Sequence, residues 1–394
     1  MQVDLGGEAK GPLAGVKVLD VSTIVSGPLC AQILGDLGAD VVKVEPPTGD
    51  TARYLGAEGP PAMSGIFAQC NRNKRSVALD LKQEAGRDAW FELVKQADVV
   101  VENYRAGVAD RIGIGFEASR AVNPGLIWVA ISGFGPDGPY SDQPAYDMVI
   151  QGMSGFAKIL GDDENPKLIS NLVADKTSGL TACYSVTAAL YAREKNGGRG
   201  QRIDIPMIDA FSSFVHCDGF APQVWGGPPA DSALQAIYRA WKTADGHVSL
   251  LVIEDRHFEG FCKTIDREDL LDDERFSNLG LRIVNAAALF EIMEAEVPKF
   301  ETATLVERAH RHGLPLGPIN DVEAFLQDPQ VVHDQIVLQL DDGDAGTMTL
   351  FGQAARFEST PASLRRSPPR LGADTEEVLA EAGLDTATIE KLRG

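Results

Sequence analysis

The sequence predicts an α/β protein whose core is a parallel β-sheet with helices on both faces. Short, almost continuously apolar segments alternate with helical segments through the first half of the chain. Strands that are apolar on both faces are typical of parallel sheets covered on both sides. With 394 residues, of which 44% are hydrophobic, the chain is long and apolar enough for a large core and more than one lobe.

The predicted elements of this sheet alternate along the chain. The strands are Val16–Asp20, Ala39–Glu45, Ala97–Glu102, Leu126–Ile131 and Arg202–Pro206. The helices are Pro28–Leu37, Gln83–Gln96, Lys176–Lys195 and Met207–Phe220. Pro46 ends the second strand, because proline has no N–H to donate to a sheet. In the second helix Trp90, Leu93 and Val94 share one face, which is the spacing of a helix packed on a core.

A turn-rich segment, Gly226–Ser232, predicts the passage into a second, smaller α+β domain. That domain contains a predicted strand, Val248–Ile253, and several helices. Leu314–Pro318 marks the return, and Thr375–Arg393 is predicted to form two short helices. We therefore expect a large domain from residues 1–222, a small domain from residues 223–318, and a return to the large domain over residues 319–394.

Composition and charge exclude several classes of protein. The net charge of −21 makes nucleic acid and anionic membranes poor partners. No segment has the roughly 18 uncharged apolar residues of a membrane span, and the amino terminus lacks the features of a secretory signal. The 5 cysteines are scattered and never form C-x-x-C, which indicates a reducing compartment rather than disulfides or zinc. We expect a cytoplasmic protein.

Two familiar catalytic patterns are not supported. Gly133–Gly138 matches G-x-G-x-x-G after a strand, but Pro139 and the residues that follow it predict a loop. A dinucleotide-binding motif would have to open a helix there. Every histidine lies at His216 or later, so the first half of the chain cannot build a Ser-His-Asp triad by itself.

Basic residues stand close to predicted strands in this acidic chain. Asn71–Arg75 precedes an apolar run, and Asn103, Tyr104 and Arg105 follow a strand directly, with Arg111 shortly after them. Ligands of open α/β sheets bind at the carboxyl ends of strands, and arginine matches the geometry of phosphate. These residues are therefore candidates for phosphate binding, and solvated loop charges are the alternative.

Asp175 is the most unusual carboxylate of the sequence. Apolar residues precede it, and the long predicted helix Lys176–Lys195 follows. One interpretation is an N-cap, because aspartate is a preferred cap. The other is a nucleophile, kept ionised by the free N–H groups and the dipole of the helix. The residue pattern alone leaves both interpretations open.

Taken together, many segments resemble the family III CoA-transferases. They include Pro12–Asp20, Gly35–Pro47, Asn73–Ser76, Ala97–Tyr104, Ser132–Gly135, Ala145–Asp147, Met207–Ala210, Thr243–Gly246 and Leu314–Ile319. The resemblance covers nearly the whole chain. It implies a large Rossmann-like domain with a smaller one, in an interlocked homodimer. It also implies an enzyme that moves CoA between an acyl-CoA and a small carboxylic acid.

The resemblance also implies roles for particular residues. Asp175 would become acylated, first as a mixed anhydride and then as a CoA thioester, with no metal and no tightly bound cofactor. The residues that match substrate and CoA contacts of the family are Ile24, Val25, Arg75, Leu79, Asn103, Tyr104, Val108, Arg111, Tyr146, Asp147 and Met207. Val25 replaces the glutamine of formyl-CoA:oxalate CoA-transferase, which argues against oxalate as the acceptor.

Two other functions are alternatives to CoA transfer. A 2-methylacyl-CoA racemase of the same fold needs an acid and a base on opposite faces of the α-carbon. Racemases carry histidine before the counterpart of Asp147, whereas this chain has Tyr146, which is a poor base at a usual pKa near 10. A non-catalytic acyl-CoA-binding protein is the alternative of another class.

Overall fold

A computed structural model describes residues 2–3, 5–56, 59–220, 223–226, 237–343 and 346–393. Two compact units divide the chain, residues 1–219 with 332–394, and residues 220–331. The second unit thus extends past residue 318, where the sequence analysis ended the small domain. Of the turn-rich segment Gly226–Ser232, only Gly226 lies within the described residues.

The elements alternate through the first unit as the sequence predicts. In chain order the strands are β1 (Gln2–Val3), β2 (Lys17–Asp20), β3 (Asp40–Glu45), β4 (Lys74–Ala78), β5 (Val99–Glu102), β6 (Ile127–Ser132), β7 (Arg202–Pro206), β8 (Trp241–Lys242), β9 (His247–Leu250), β10 (Leu316–Pro318), β11 (Val337–Asp341), β12 (Thr347–Phe351) and β13 (Ser363–Leu364). The α-helices are α1 (Ser26–Asp36), α2 (Gly65–Asn71), α3 (Glu84–Gln96), α4 (Val108–Arg111), α5 (Phe116–Val122), α6 (Asp147–Met153), α7 (Phe156–Leu160), α8 (Val173–Lys195), α9 (Met207–Gly219), α10 (Asp255–Thr264), α11 (Leu279–Val284), α12 (Ala286–Glu296), α13 (Thr302–His312), α14 (Val322–Gln327), α15 (Pro329–Asp334), α16 (Thr375–Glu381) and α17 (Thr386–Arg393). Short 3-10 helices cover Thr51–Tyr54, Glu268–Asp272, Glu274–Phe276 and Val297–Lys299.

A six-stranded sheet in the order β4-β3-β2-β5-β6-β7 forms the centre of the first unit. Every neighbouring pair of its strands is parallel, which confirms the predicted parallel sheet. Strand β4 was not predicted, because Lys74 and Arg75 resemble a charged loop. Both side chains are buried beside carboxylates of other segments, and this tertiary pairing makes a charged strand tolerable.

Alternate residues of each strand enter two separate cores. Val18, Val99 and Ile127 face a core built with α1, α8 and α9, whereas Leu19, Val100 and Trp128 face one built with α3 and α16. Helices thus cover both faces of the sheet, as the apolar strands predict. Within the described residues, we find no helix with the length and apolar character needed to cross a membrane.

The strand order reverses between β2 and β5. From β2 the chain proceeds to β3 and β4 on one side, and from β5 it proceeds to β6 and β7 on the other. The loops that leave the carboxyl ends of β2 and β5 therefore diverge, and they leave a crevice between them. Such a switch point is where open α/β sheets bind their ligands.

The second unit has its own small sheet and apolar core. Strands β8, β9 and β10 pair antiparallel in the order β10-β9-β8. The core includes Trp241, Phe258, Phe261, Phe276 and Leu305. Strand β9 ends at Leu250, three residues before the predicted end of that strand at Ile253.

Candidate functional site

A cavity of about 170 Å³ opens at the carboxyl ends of the strands, where β2 and β5 diverge. Half of the residues that the sequence analysis named for the site lie together in its wall. They are Ile24, Asn103, Tyr104, Tyr146, Asp175 and Met207. These residues come from five separate places in the chain, and the fold brings them together.

A larger cavity, of about 380 Å³, lies at the opposite edge of the sheet. Residues just before or at the start of β3 line it, together with Arg365 and Arg366. None of the candidate site residues lines this cavity. The position of Asp175 and of the carboxyl ends of the strands, rather than the volume, therefore identifies the smaller cavity as the candidate site.

Asp175 is not the N-cap of the long helix. Helix α8 begins at Val173, and its N-cap position is Leu172, whose side chain makes no capping hydrogen bond. The buried carboxylate of Asp147, on α6, caps α8 instead. Its Oδ2 accepts hydrogen bonds from the backbone N–H groups of Ala174 at 2.7 Å and Asp175 at 3.1 Å. With its helix capped from elsewhere, the side chain of Asp175 remains free to line the cavity.

The electrostatic environment of Asp175 differs from the sequence-based expectation. Burial and the nearby charge of Asp147 raise the pKa of Asp175 to about 6, although hydrogen bonds from the hydroxyl and backbone N–H groups of Ser26 oppose this rise. Loss of solvation on burial is the largest cause of this rise in the pKa. With this pKa roughly nine tenths of the groups are ionised at pH 7. Asp175 is a poorly solvated carboxylate that is still mainly charged.

The turn between β2 and α1 forms one wall of the cavity and is held by side chains from other segments. Asn103 Oδ1 accepts a hydrogen bond from Thr23 N at 2.8 Å, and Asp50 Oδ1 accepts one from Ile24 N at 3.1 Å. Ile24 has a φ of 68°, a left-handed conformation that is unfavourable for a β-branched residue. The surrounding hydrogen bonds hold this conformation at the edge of the candidate site.

A buried cluster of charged side chains also restrains the turn between β2 and α1. Lys43 Nζ lies 3.0 Å from Asp50 Oδ2 and donates to the carbonyl of Ser22 at 2.9 Å. Lys74 Nζ lies 2.7 Å from Asp20 Oδ2 and donates to the carbonyl of Pro28 at 2.8 Å. The two lysines thus bond the backbone on either side of Ile24. This satisfies the buried charges and restrains the turn.

The other candidate residues do not line the cavity. They are Val25, Arg75, Leu79, Val108, Arg111 and Asp147. Val25 and Leu79 are core residues with 2% and 1% exposure. Arg75 pairs with Asp40, Glu377 and Glu381, and Asp40 begins β3 at the opposite edge of the sheet. Arg75 and Leu79 thus do not line this cavity, and their contact with the nucleotide part of CoA stays a prediction.

Val108 and Arg111 lie close to the cavity without entering it. They are the first and last residues of α4, which directly follows the loop Asn103–Gly107. Asn103, Tyr104, Arg105 and Ala106 line the cavity. Arg111 is exposed and therefore accessible to a ligand.

Sequence reasoning did not select Ser26 and Arg105 as site residues, yet both line the cavity. Ser26 lies in an apolar stretch and has no distinctive spacing. The signal in the sequence is its position, because Ser26 directly follows the turn after β2. The carboxyl ends of strands in open α/β sheets are where ligands bind. Arg105 was noted only as part of a basic group. It is the basic residue among the described residues of this wall.

The residues described in the structure include no group of three or more His, Cys, Asp or Glu side chains arranged to hold a metal ion. Lys176, next to Asp175, is exposed and donates to Asn171 Oδ1 at 2.6 Å. The cavity wall therefore combines one poorly solvated carboxylate with hydroxyl, amide and guanidinium donors. This is a suitable set for a carboxylate nucleophile and an anionic substrate.

Comparisons with known proteins agree with this chemistry. The family model described as CoA-transferase family III matches residues 13–375. The chain is 33% identical to a succinate–glutarate CoA-transferase of Agrobacterium fabrum, over 94% of this chain and 96% of that one. It is 32% identical to a succinyl-CoA:mesaconate CoA-transferase of Haloarcula marismortui, over 96% and 98%.

A solved structure is similar over the same extent. The crystal structure of a CAIB/BAIF family protein from Brucella suis superposes with a TM-score of 0.83 at 32% identity, covering 95% of this chain and all of that one. Sequence and fold thus agree over nearly the whole chain. The chain belongs to the family III CoA-transferases and is a CoA-transferase.

Proposed function

We propose that the enzyme moves CoA from an acyl-CoA to a carboxylic acid through covalent intermediates on Asp175. The observation that carries the proposal is the state of this carboxylate. It lines a cavity at the switch point of the sheet, and its pKa of about 6 leaves it mainly ionised at neutral pH although it is poorly solvated. A carboxylate that has lost water is a better nucleophile than a hydrated one.

In the proposed reaction every bond that breaks is replaced. An oxygen of Asp175 attacks the thioester carbonyl, the C–S bond breaks, and a mixed anhydride and CoA thiolate form. The thiolate attacks the aspartyl carbonyl, which releases the donor acid and leaves an aspartyl-CoA thioester. The acceptor carboxylate then repeats both steps in reverse. No proton, electron or phosphate is consumed, so the reaction requires neither metal nor tightly bound cofactor.

The dimensions of the cavity support an extended position for CoA. Its volume of about 170 Å³ is below the roughly 300–1,000 Å³ that encloses a drug-sized ligand. We therefore place only the acyl thioester beside Asp175, Ile24 and Tyr146. The nucleotide follows the loop Asn103–Gly107 toward α4, where Arg111 faces its phosphates.

The acceptor that we propose is a dicarboxylic acid. Relatives of this chain are named for glutarate and mesaconate, which are both dicarboxylic acids. Arg105 supports this choice, since a guanidinium group at the cavity wall can hold a second carboxylate while the first one reacts.

We also propose that the enzyme acts as an interlocked homodimer. Large apolar side chains are exposed on neighbouring helices of the first unit. Tyr184 on α8 is 63% exposed, Phe214 on α9 is 62% exposed and Met148 on α6 is 66% exposed. Apolar surface of this kind supports burial against a second copy of the chain.

The covalent role of Asp175 can be tested with isotope and mass measurements. The enzyme is incubated with succinyl-CoA and an acceptor whose carboxylate oxygens are ¹⁸O. Reversal of the anhydride step deposits one acceptor oxygen in the Asp175 side chain, which mass spectrometry of the peptide detects. Asp175→Asn should lose transfer by at least about 10³-fold, the scale seen when a nucleophile is removed.

Asp209→Asn is the matched control, because Asp209 is also in the first turn of a helix but is exposed. It should retain both transfer and labelling. Transfer without ¹⁸O in Asp175 would contradict the covalent mechanism. Exchange of an α-proton of 2-methylacyl-CoA with D₂O, without any acceptor acid, would instead indicate a racemase. Binding without either reaction would indicate an acyl-CoA-binding protein.

A further inference from the structure

Ser26 is buried at the contact between α1 and α8. It is the first residue of α1 and is only 1% exposed. Helix α8 approaches closely because Gly179, one turn after Asp175, has no side chain. A Cβ atom at Gly179 would lie 2.6 Å from the carbonyl oxygen of Ser26. The small residue on α8 thus lets the amino-terminal end of α1 reach the carboxylate of Asp175.

The side-chain amide of Asn103 donates a hydrogen bond to the Ser26 hydroxyl. Its side-chain amide is oriented by the backbone of Thr23, since Oδ1 accepts from Thr23 N at 2.8 Å and Nδ2 donates to Thr23 O at 2.7 Å. The same Nδ2 group donates to Ser26 Oγ at 3.2 Å. The hydroxyl oxygen is therefore an acceptor toward Asn103, and its single proton remains available for a group in the cavity wall, which also contains Asp175.

We propose that Ser26 is a second catalytic residue, whose hydroxyl, oriented by Asn103, stabilises negative charge on the side chain of Asp175 during CoA transfer. This inference rests on the proposed function. In the free enzyme the hydroxyl lies in the same cavity wall as Asp175 and favours the charged form of its carboxylate. Once Asp175 is acylated, each attack on its carbonyl places negative charge on the aspartyl oxygen. A donor already in position there lowers the barrier, because it needs no reorganisation.

The test compares Ser26→Ala with Ser178→Ala. Ser178 is also buried near Asp175, but its hydroxyl donates to the carbonyl of Ala174 at 2.7 Å. Infrared difference spectra, taken against the matching Asp175→Asn proteins, follow the titration of this one carboxyl group without any turnover. Ser26→Ala should raise the pKa of Asp175 by about one pH unit, the size expected for a lost hydrogen bond to a charge. Ser178→Ala should leave it unchanged.

Transfer rates give the second measurement. Ser26→Ala should lower kcat by roughly 10- to 100-fold, with little change in KM for the acyl-CoA, because the lost interaction acts on the reacting oxygen. Ser26→Thr, which keeps a hydroxyl, should restore part of the rate. If Ser26→Ala does not fold, Ser26→Cys preserves the volume with a weaker donor and takes its place.

The outcomes separate this inference from the proposed function. Normal transfer with an unchanged Asp175 titration in the Ser26 variant would overturn the role of Ser26 and leave the proposed function intact. Equal changes in the Ser26 and Ser178 variants would show a merely structural effect and would also overturn it. If the parent enzyme transfers no CoA, the proposed function fails, and the catalytic role of Ser26 fails with it.

Discussion

Glu102 is a buried carboxyl group directly behind the cavity wall. It is the last residue of β5, is 5% exposed, and its Oε2 accepts a hydrogen bond from Tyr104 N at 2.7 Å. Burial raises the pKa of Glu102 to about 7, although the bonds from Tyr104 and Trp128 favour the charged form. At residue scale, the loop that lines the cavity is thus anchored on a group that titrates near neutral pH.

We predict that Glu102→Gln makes stability less dependent on pH. The folded protein holds this proton more tightly than the unfolded chain, whose glutamate titrates near 4.5. The parent should therefore lose stability as pH rises from about 4.5 to about 7, by up to about 3 kcal/mol. The stability of Glu102→Gln should not fall in this way. Its side chain still accepts the hydrogen bond from Tyr104 N but carries no charge at any pH.

Urea unfolding at pH 5 and pH 8 checks this prediction. The midpoint of the parent should fall by more than that of Glu102→Gln between the two values. Glu117→Gln, an exposed glutamate paired with Arg120, should behave as the parent. If the urea midpoints of the parent and of Glu102→Gln changed equally between the two pH values, Glu102 would not be protonated in the folded protein at neutral pH.

At the scale of elements, the site depends on the contacts of α8 with two other helices. Asp147 of α6 caps its first turn, and Gly179 permits its close packing on α1. Asp175, the proposed nucleophile, is therefore positioned by residues that do not line the cavity. An apolar segment begins this helix, because the capping carboxylate comes from another part of the chain.

We predict that Gly179→Ala separates α8 from α1. The new Cβ would meet the Ser26 carbonyl oxygen at 2.6 Å, a backbone atom that cannot rotate away. Overpacking of this kind costs about 1–3 kcal/mol. The separation should also move Asp175 from Ser26 and lower kcat.

The matched control is Gly152→Ala in α6, where a Cβ would meet nothing within 4 Å. There alanine should raise stability by about 0.5–1 kcal/mol through helix propensity. Thermal unfolding and transfer rates of the two variants distinguish them. Equal thermal stability of Gly179→Ala and Gly152→Ala would contradict the close contact between Gly179 and the carbonyl of Ser26.

At the scale of the whole molecule, residues far apart in sequence close the first unit. The guanidinium of Arg53 pairs with Glu45 and donates to the carbonyl of Pro369 at 3.1 Å. Val378 and Leu379 of α16 belong to the same core as Trp90. The last segment of the chain thus completes a core that the first hundred residues begin.

We predict that the enzyme, if it forms the proposed interlocked homodimer, remains dimeric on dilution. Two interlocked chains cannot separate without unfolding, so the particle should keep twice the 42.2 kDa chain mass even at nanomolar concentration. Mass photometry checks this directly. A folded species of one chain mass at nanomolar concentration would contradict the interlocked arrangement, and a dimer that dissociates gradually would indicate two chains that merely touch.

The sequence by itself determined the strands of the parallel sheet other than β4, and it singled out Asp175, Asn103 and Tyr104 as candidate site residues. These features are local, since periodicity, prolines and strand ends are written along a few consecutive residues. Hence the predicted strands match the observed β2, β3, β5, β6 and β7 to within one or two residues at each end.

Only the tertiary structure decided which side chains act on one another. It assigned the cap of α8 to Asp147, paired Arg75 with Asp40, Glu377 and Glu381, and brought Ser26 and Asp175 into one cavity wall. None of these outcomes follows from spacing, because each joins residues of different segments. For the same reason, the sequence alone does not determine the pKa of Asp175. It depends on burial and on neighbouring charges that come together only when the chain folds.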